Sequence, residues 1–294
     1  MVIPLLIFSY FGSALRIIGL RASLLAAVIL FVTAPGTHAQ VGGLMVAPTR
    51  ITLSGDDLNS EVYVTNTSSR PITARITLVN RRMLSDGTFT TPEKPLAGEH
   101  FAENHIRFAP RRVILQPGQG QVVRILGQRP PGAAAEYRSH MLFRVEPEQR
   151  ALDDGPRNRQ ASNKGDKVSI RLQPVYGVSI PLILRAGNLS ASASIENLDV
   201  SSGGTGQSSV SFDIRRHGNR SIYGDIHVYN GGDGKAERLV AKIRGVAVYT
   251  PLEKRHVVIP LAQYNREDLD GRLRVEFLDR DTSDSLLAES TTSL

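Results

Sequence analysis

After residue 40 the chain alternates short apolar-rich runs with turn-forming residues, and almost none of it has a helical period. The run 72–79, for example, has Ile, Ala, Ile and Leu at its even positions and Thr or Arg at positions 73, 75 and 77. A period of two is typical of a β-strand that buries one face. The predicted strands are 51–53, 61–65, 72–79, 112–115, 121–126 and 137–145 in the first half, and 210–214, 224–229, 240–250, 256–260 and 271–279 in the second.

Turn and loop signals divide these strands into two groups. Clusters such as Ser54–Asp57 and Gln116–Gly118 separate neighbouring strands, as Gly, Pro, Asn, Asp and Ser do in turns. The polar segment 146–166 reads as a long loop, and Gly187 marks a second boundary. The Gly- and Ser-rich stretch 201–209 predicts a further loop. We therefore predict an all-β protein with two β-sandwich domains, 40–185 and 186–294.

The segment 168–185 has the longest alternating pattern in the chain. Eight of its nine even positions are apolar, and its odd positions are mostly polar. Pro174 and Pro181 lack a backbone donor, which favours an edge strand, and Pro174 or Gly177 is a possible bend. Two readings stay open on the pattern alone. The apolar face packs on its own core, or the edge is kept for a partner's incomplete sheet by β-augmentation.

The N-terminus predicts export. Arg16 and Arg21 precede the apolar run Leu24–Val32, and Thr37–Ala39 supplies small residues for a cleavage before Gln40. Residues 1–39 are thus a predicted signal peptide, and the apolar run is short of the roughly 20 residues that span a bilayer. A membrane anchor is the alternative, because residues 1–15 are also apolar; a true start near residue 15 or 20 explains that stretch equally well. The mature protein is then not an integral membrane protein.

Composition and charge remove several classes of function. The chain has no Cys, so neither a disulfide framework nor a Cys-ligated zinc site is open to it. Its net charge is +7, but Lys and Arg are dispersed, without a basic helix or an aromatic platform for bases. Nucleic acid is therefore not an expected partner.

Catalytic and metal-binding signatures are also missing from the sequence. The histidines are scattered, none in the H-E-x-x-H spacing of a zinc site, and no Ser lies in a G-x-S-x-G turn. Gly203–Gly206 reads as a linker rather than a phosphate-binding loop. We expect no enzyme activity, no metal and no cofactor.

Several segments together resemble PapD-like periplasmic chaperones of pilus assembly. Those that resemble the family's strands and turns are Leu44–Leu53, Tyr63–Asn66, Gln116–Ile125 and Glu136–Val145. Three stretches are similar to the subgroup that serves spore-coat-U-type, or archaic, pili: 136–140 (EYRSH), 176–181 (YGVSIP) and 219–224 (NRSIYG). The resemblance covers nearly all of residues 42–185 and, more loosely, the chain from residue 219 onward.

The resemblance implies two immunoglobulin-like domains in a boomerang arrangement, located in the periplasm. The last strand of the first domain is then lent to a pilus or spore-coat-U-like subunit by donor-strand complementation, and an outer-membrane usher receives the subunit. The implied donor residues are Tyr176, Val178, Ile180, Leu182 and Leu184.

Arg50 matches the family's first-strand anchor for the subunit's C-terminal carboxylate, a role that suits a guanidinium fork. Without the resemblance, an interdomain or surface ion pair is the simpler interpretation of Arg50. The family's second anchor, a Lys on the last strand, has no counterpart in 177–185, which leaves Arg138 and Arg171 as weaker candidates.

Two other classes of function are weighed against a chaperone. A pilus structural subunit would have one incomplete sandwich and an N-terminal donor extension, whereas this sequence predicts two sandwiches and an internal donor strand. An exported adhesin would more often carry exposed aromatic residues on its loops, and aromatics make up only 6% of the chain.

Overall fold

The computed structural model describes residues 39–41, 43–132, 134–147, 175–202, 207–232, 236–281 and 285–294. The predicted signal peptide, apart from its last residue, lies outside these ranges, as do residues 148–174. The strands are β1 (Ala39–Val41), β2 (Leu44–Ala47), β3 (Ile51–Ser54), β4 (Asn59–Asn66), β5 (Ile72–Val79), β6 (Arg82–Met83), β7 (Phe89–Thr90), β8 (Ile106–Ala109), β9 (Arg112–Leu115), β10 (Gly120–Gly127), β11 (Ala135–Glu146), β12 (Gly177–Ala186), β13 (Ala191–Ser202), β14 (Gln207–Gly218), β15 (Ile222–Gly231), β16 (Arg238–Val248), β17 (Lys254–Asn265), β18 (Arg272–Asp279) and β19 (Ser285–Ser293). Short 3-10 turns occupy Glu103–His105 and Arg266–Asp268.

Two five-stranded sheets form the first sandwich. Their strand orders are β1-β2-β4-β10-β8 and β3-β12-β11-β5-β9. Inward-facing residues of both sheets, such as Val64, Ile76 and Phe143, make one buried core. β5 packs one face on this core because apolar and polar residues alternate along it. Ala74 and Ile76 are buried, while Arg75 between them is exposed.

β2 and β3 follow each other in the chain but belong to different sheets of this sandwich. β2 pairs antiparallel with β4 in one sheet, and β3 pairs parallel with β12 in the other. The parallel ladder covers only the C-terminal half of β12, from Leu182 to Arg185. On its other side β12 is paired with β11 along its whole length.

The second sandwich has a three-stranded sheet, β13-β14-β17, and a four-stranded sheet, β16-β15-β18-β19. Its separate core includes Phe212, Ile226 and Phe277. The protein is therefore all-β with two β-sandwiches, as the alternating pattern predicts. The described residues form one compact unit, and the domain limits at residues 185 and 186 stay a prediction.

A small third cluster joins the two sandwiches. Met83 of β6 and Ile183 of β12 pack against Ala247 and Tyr249 of the second sandwich. The hairpin of β6 and β7 reinforces this contact, because the backbone N–H of His256 donates to the carbonyl of Ser85 at 2.7 Å. In the part of the chain that the structure describes, no helix is long and apolar enough to cross a membrane.

Several predicted elements differ from those observed. The strand predicted from residue 168 begins at Gly177 in the structure, one of the two predicted bend positions, and residues 168–174 lie outside the described part. The loop predicted at 201–209 is shorter, since β13 continues to Ser202 and β14 begins at Gln207.

Candidate functional site

The edge of β12 is open over its N-terminal half. β3 covers Leu182–Arg185, so the segment Gly177–Pro181 has β11 on one side and no ladder partner among the described residues on the other. The Cα atoms of β1 come within 8 Å of those of β12, but β1 is paired with β2. An unpaired run of backbone N–H and C=O groups is the structure that β-augmentation requires.

Four of the five predicted donor side chains lie inside their own sandwich. Val178 is 4% exposed, Ile180 is 1% exposed, and Leu182 and Leu184 are fully buried. They belong to the core of the first sandwich, because the even positions of β12 face the opposite sheet. In this conformation β12 therefore offers a partner its backbone edge and not these four side chains.

Tyr176, the fifth predicted donor residue, is placed differently. It directly precedes β12, and its side chain is 46% exposed, next to a similarly exposed Val175. The carbonyl of Tyr176 accepts a hydrogen bond from the N–H of Val145, at 2.9 Å. Exposed apolar side chains thus adjoin the open edge at the point where the chain enters β12.

Arg50 lies between the two sandwiches, immediately before β3. Its Nη1 donates to the hydroxyl of Tyr249 at 3.1 Å, and its Nε is 3.9 Å from a carboxylate oxygen of Asp281. The guanidinium also lies over the ring of Tyr223, 4.3 Å from the centroid. The interdomain contact expected from the simpler reading of Arg50 is therefore present.

These contacts do not use all the donors of Arg50. Its Nε and Nη2 are buried, and neither has a hydrogen-bond partner among the described residues. A buried donor without a partner costs about 1–3 kcal/mol, and more when it is charged. Arg50 is thus suited to bind a further anionic oxygen.

Of the two weaker candidates, Arg171 lies outside the described residues, and Arg138 is in the same interface as Arg50. Arg138 donates through Nη1 to the carbonyl of Arg81 at 2.9 Å and lies over the Tyr249 ring at 4.4 Å. Burial lowers the pKa of Arg138, and burial raises that of Tyr249. Arg50 and Arg138 therefore flank one buried tyrosine, with the Nε of Arg138 also lacking a partner among the described residues.

Arg185, on β12 itself, is a cation that the sequence interpretation did not assign. Its Nε is 3.1 Å from the buried carboxylate of Glu136, and its Nη2 is 2.8 Å from Asp281. Burial alone would lower the pKa of Arg185, but Glu136 and Asp281 raise it above the ordinary value. Because Asp281 also meets Arg50 and Arg220, several cations share one carboxylate at this point.

Glu136 fastens the first sandwich to the second. It accepts hydrogen bonds from the N–H of Ser221, at 3.0 Å, and from the Ser221 hydroxyl. Position 185 gives a weak sequence signal for this network, because it is a charged residue on the odd face of a long apolar strand. Its partners come from remote segments, and no local spacing indicates them.

The arrangement as a whole suits anion binding and strand pairing. Within the described part of the chain it has buried arginine donors without partners, one carboxylate shared by three arginines, and a strand edge without a ladder partner. Among the described residues, no group of three or more His, Asp or Glu side chains could hold a metal ion.

Comparisons with known proteins gave structural likenesses only. No protein-family model matches the chain, and no curated protein matches it. It is similar to the crystal structure of the YadV chaperone, at 10% identity over 86% of this chain and 100% of that one, with a TM-score of 0.43. The Pseudomonas aeruginosa CupB2 chaperone gives 14% identity over 84% and 97%, with a TM-score of 0.42.

A third likeness is to a complex. The CsuC–CsuE chaperone–tip adhesion subunit pre-assembly complex, from archaic chaperone-usher Csu pili of Acinetobacter baumannii, gives 11% identity over 88% of this chain and 98% of that one. Its TM-score is 0.39. Two of these three structures are named as chaperones and the third is a chaperone–subunit complex, and each likeness is weak.

Proposed function

We propose that this protein is a periplasmic chaperone that completes pilus or spore-coat-U-type subunits by pairing with them along the open edge of β12, and then delivers them to an outer-membrane usher. The observation that carries the proposal is the edge itself. No strand among the described residues pairs with one side of Gly177–Pro181, whereas the opposite side of β12 is fully paired with β11.

The backbone edge supplies affinity without sequence specificity. A subunit strand added beside Gly177–Pro181 would pair its N–H and C=O groups with those that β12 leaves open. The interaction is stoichiometric and uses neither a nucleotide nor a catalytic group. In this proposal the protein therefore binds its partner and catalyses no reaction.

The donor side chains, in this proposal, come from the N-terminal end of the alternating segment. Tyr176 is exposed in the structure, whereas Val178, Ile180, Leu182 and Leu184 fill the protein's own core. The sequence alternation continues upstream through Ile170 and Leu172, which lie outside the described residues. Each aliphatic side chain that enters a partner's groove contributes about 1.5–3 kcal/mol before ordering costs.

Arg50 is the proposed anchor for the partner's C-terminal carboxylate. Its two buried donors that no described residue satisfies support this role, as does its position between the sandwiches. Arg138 is the proposed second cation, because its guanidinium lies over the ring of Tyr249, which Arg50 also contacts. A carboxylate placed there would satisfy donors that the described residues leave open.

The donor assignment is tested by changing alternate residues of one segment. Ile170→Asp with Leu172→Asp should abolish co-purification of a subunit from the periplasm, measured by mass spectrometry of the purified complex. Ser169→Asp with Gln173→Asp adds the same charge on the odd positions and should keep the subunit. A wild-type chain that is purified alone and binds glycans would instead favour the adhesin.

A further inference from the structure

Three arginines lie side by side on the outer face of the sheet that contains β12. Arg144 of β11 is in register with Arg75 of β5, and Arg75 is in register with Arg112 of β9. Like charges directly opposite each other destabilise a sheet. This arginine row, Arg144-Arg75-Arg112, is therefore a cost that strand pairing alone does not explain.

One carboxylate, Glu146, compensates two members of the row. Its oxygens are 2.8 Å from Nε of Arg75 and 3.0 Å from Nη2 of Arg112, and the hydrogen bonds from these arginines lower the pKa of Glu146. Arg144 is exposed and has no ion pair among the described residues. The row thus keeps an excess of positive charge at the end nearest β12.

The row borders a groove of about 970 Å³ that reaches Tyr176. Arg70, also exposed, lines the same groove and adds a further positive charge. The groove is lined partly by Pro71 and Val145, so it combines apolar walls with arginine side chains. The groove also contains Glu146, and at Tyr176 it adjoins the N-terminal end of β12, where an added strand would lie.

The row ends on β12 at a glycine. Gly177 is in register with Arg144, and a Cβ added at Gly177 would lie 3.1 Å from the carbonyl oxygen of Phe143. Because Gly177 has no side chain, nothing on β12 separates Arg144 from a strand added at the open edge. Strands are about 4.8 Å apart, so two spacings, about 10 Å, separate the backbone of an added strand from Arg144. An extended Arg and an extended Glu side chain can bridge that distance.

We propose that the arginine row is a specificity element which selects partners whose added strand carries Asp or Glu in register with Gly177. This inference rests on the proposed function, because it places a partner strand at the edge of β12. The three arginines lie along the direction in which an added strand would extend the sheet. For this reason we infer that the ligand is an acidic polypeptide rather than an anionic lipid.

The register is established first, with the subunit that co-purifies with the wild-type chain. The protein has no cysteine, so Ser179→Cys introduces a single thiol on the exposed face of β12. Disulfide cross-linking to single cysteines placed along the subunit's paired strand then locates the residue opposite Gly177. An acidic residue there is the expected result, and an apolar or basic residue would overturn the proposal.

Charge reversal is the second arm. Arg144→Glu should slow association with the subunit about tenfold at 50 mM NaCl, with a smaller effect at 500 mM, because charges at an interface rim act mainly on the association rate. Arg144→Lys should keep most of the rate. Arg124→Glu is the matched control, because Arg124 is exposed on the other sheet and paired with Glu61 at 3.3 Å.

Rescue and lipid binding complete the test. Exchanging the subunit's acidic residue for Lys should restore the association rate of the Arg144→Glu variant. If Arg144→Glu and Arg124→Glu behave alike while the wild type binds its subunit, the selectivity proposal fails and the chaperone proposal stands. A wild type that captures no subunit contradicts both. Loss of binding to phosphatidylglycerol vesicles, with subunit binding intact, would assign the row to a lipid surface instead.

Discussion

Arg50 lies against two tyrosines and one carboxylate, and yet two of its buried nitrogens have no hydrogen-bond partner among the described residues. A side chain used only to fasten the two sandwiches would gain by satisfying all its donors. The open donors are therefore the feature that distinguishes an anchor from a purely structural arginine. That distinction can be measured by a coupling experiment.

Arg50→Ala should weaken binding of the captured subunit by about 2–5 kcal/mol, because it removes one partner of a buried charge pair. Extending the subunit by two glycines moves its C-terminal carboxylate and should weaken binding to the wild type similarly. The two changes together should cost little more than either alone, as titration calorimetry would show. Additive losses would mean that Arg50 acts only on the fold.

At the scale of elements, β12 has two different faces. Its even residues fill the first core, while Ile183 packs against the second sandwich and Ser179 faces solvent. β3 covers its C-terminal half, and no strand in the described ranges covers the edge of its N-terminal half. One strand thus serves the core, the interface between sandwiches and the proposed partner.

This division predicts opposite results for two kinds of substitution in β12. Ile180→Asp with Leu182→Asp should unfold the first sandwich, because truncation of one such buried side chain already costs about 2–5 kcal/mol and a buried charge costs more. Ser179→Asp, on the exposed face, should leave the thermal midpoint nearly unchanged. Circular dichroism during heating measures both. A folded double variant that lacks subunit binding would instead support these side chains as donors.

The sequence predicts most of the strands that bury one face, although it misses β8, in which Ile106 and Phe108 are buried. β5 and β9 are observed at their predicted limits. Apolar and polar residues alternate in β5, and β9 is a continuous apolar run in which Val113 and Leu115 are buried and Ile114 is exposed. β13 and β19 were not predicted, since they are edge strands of small and polar residues with few fully buried positions. Their place is fixed by pairing with β14 and β18, which no local pattern indicates.

The candidate site follows the same rule. Arg50 was found through the resemblance, and Tyr176 through the alternation of its segment. Arg185 and Glu136 could not be found in this way, because their roles depend on Asp281 and Ser221 of the other sandwich. The arginine row depends likewise on the register of three strands, which the sequence does not encode locally.

At the scale of the whole molecule, the contact between the sandwiches contains a buried histidine. His140 packs edge-on to Phe89 with ring centroids 5.2 Å apart, and its ring also meets that of Tyr249. Burial, with the neighbouring charge of Arg138, lowers the pKa of His140 from 6.5 to about 3. The neutral form is therefore the one that the folded protein accommodates.

His140 should make the stability of the protein depend on pH. Between pH 6.5 and about 3 the unfolded chain binds a proton there that the folded protein does not, so stability is fully present above pH 6.5 and is lost as the pH falls. The expected slope is about 1.4 kcal/mol per pH unit from this group. Urea unfolding of the wild type and of His140→Phe, from pH 7.5 to 4.5, measures it. Parallel pH profiles would contradict the assignment.

The parallel pairing of β3 with β12 also constrains the order of folding. Ile51 is in register with Leu182, so a strand near the start of the first sandwich needs the last strand of that sandwich as its neighbour. Contacts between distant parts of a chain close slowly, because the intervening loop entropy is lost before the contacts are gained. A chain that becomes available for folding from its N-terminus cannot complete this sandwich until β12 is also available. The first core therefore closes late, and this parallel pairing delays folding of the N-terminal strands on their own.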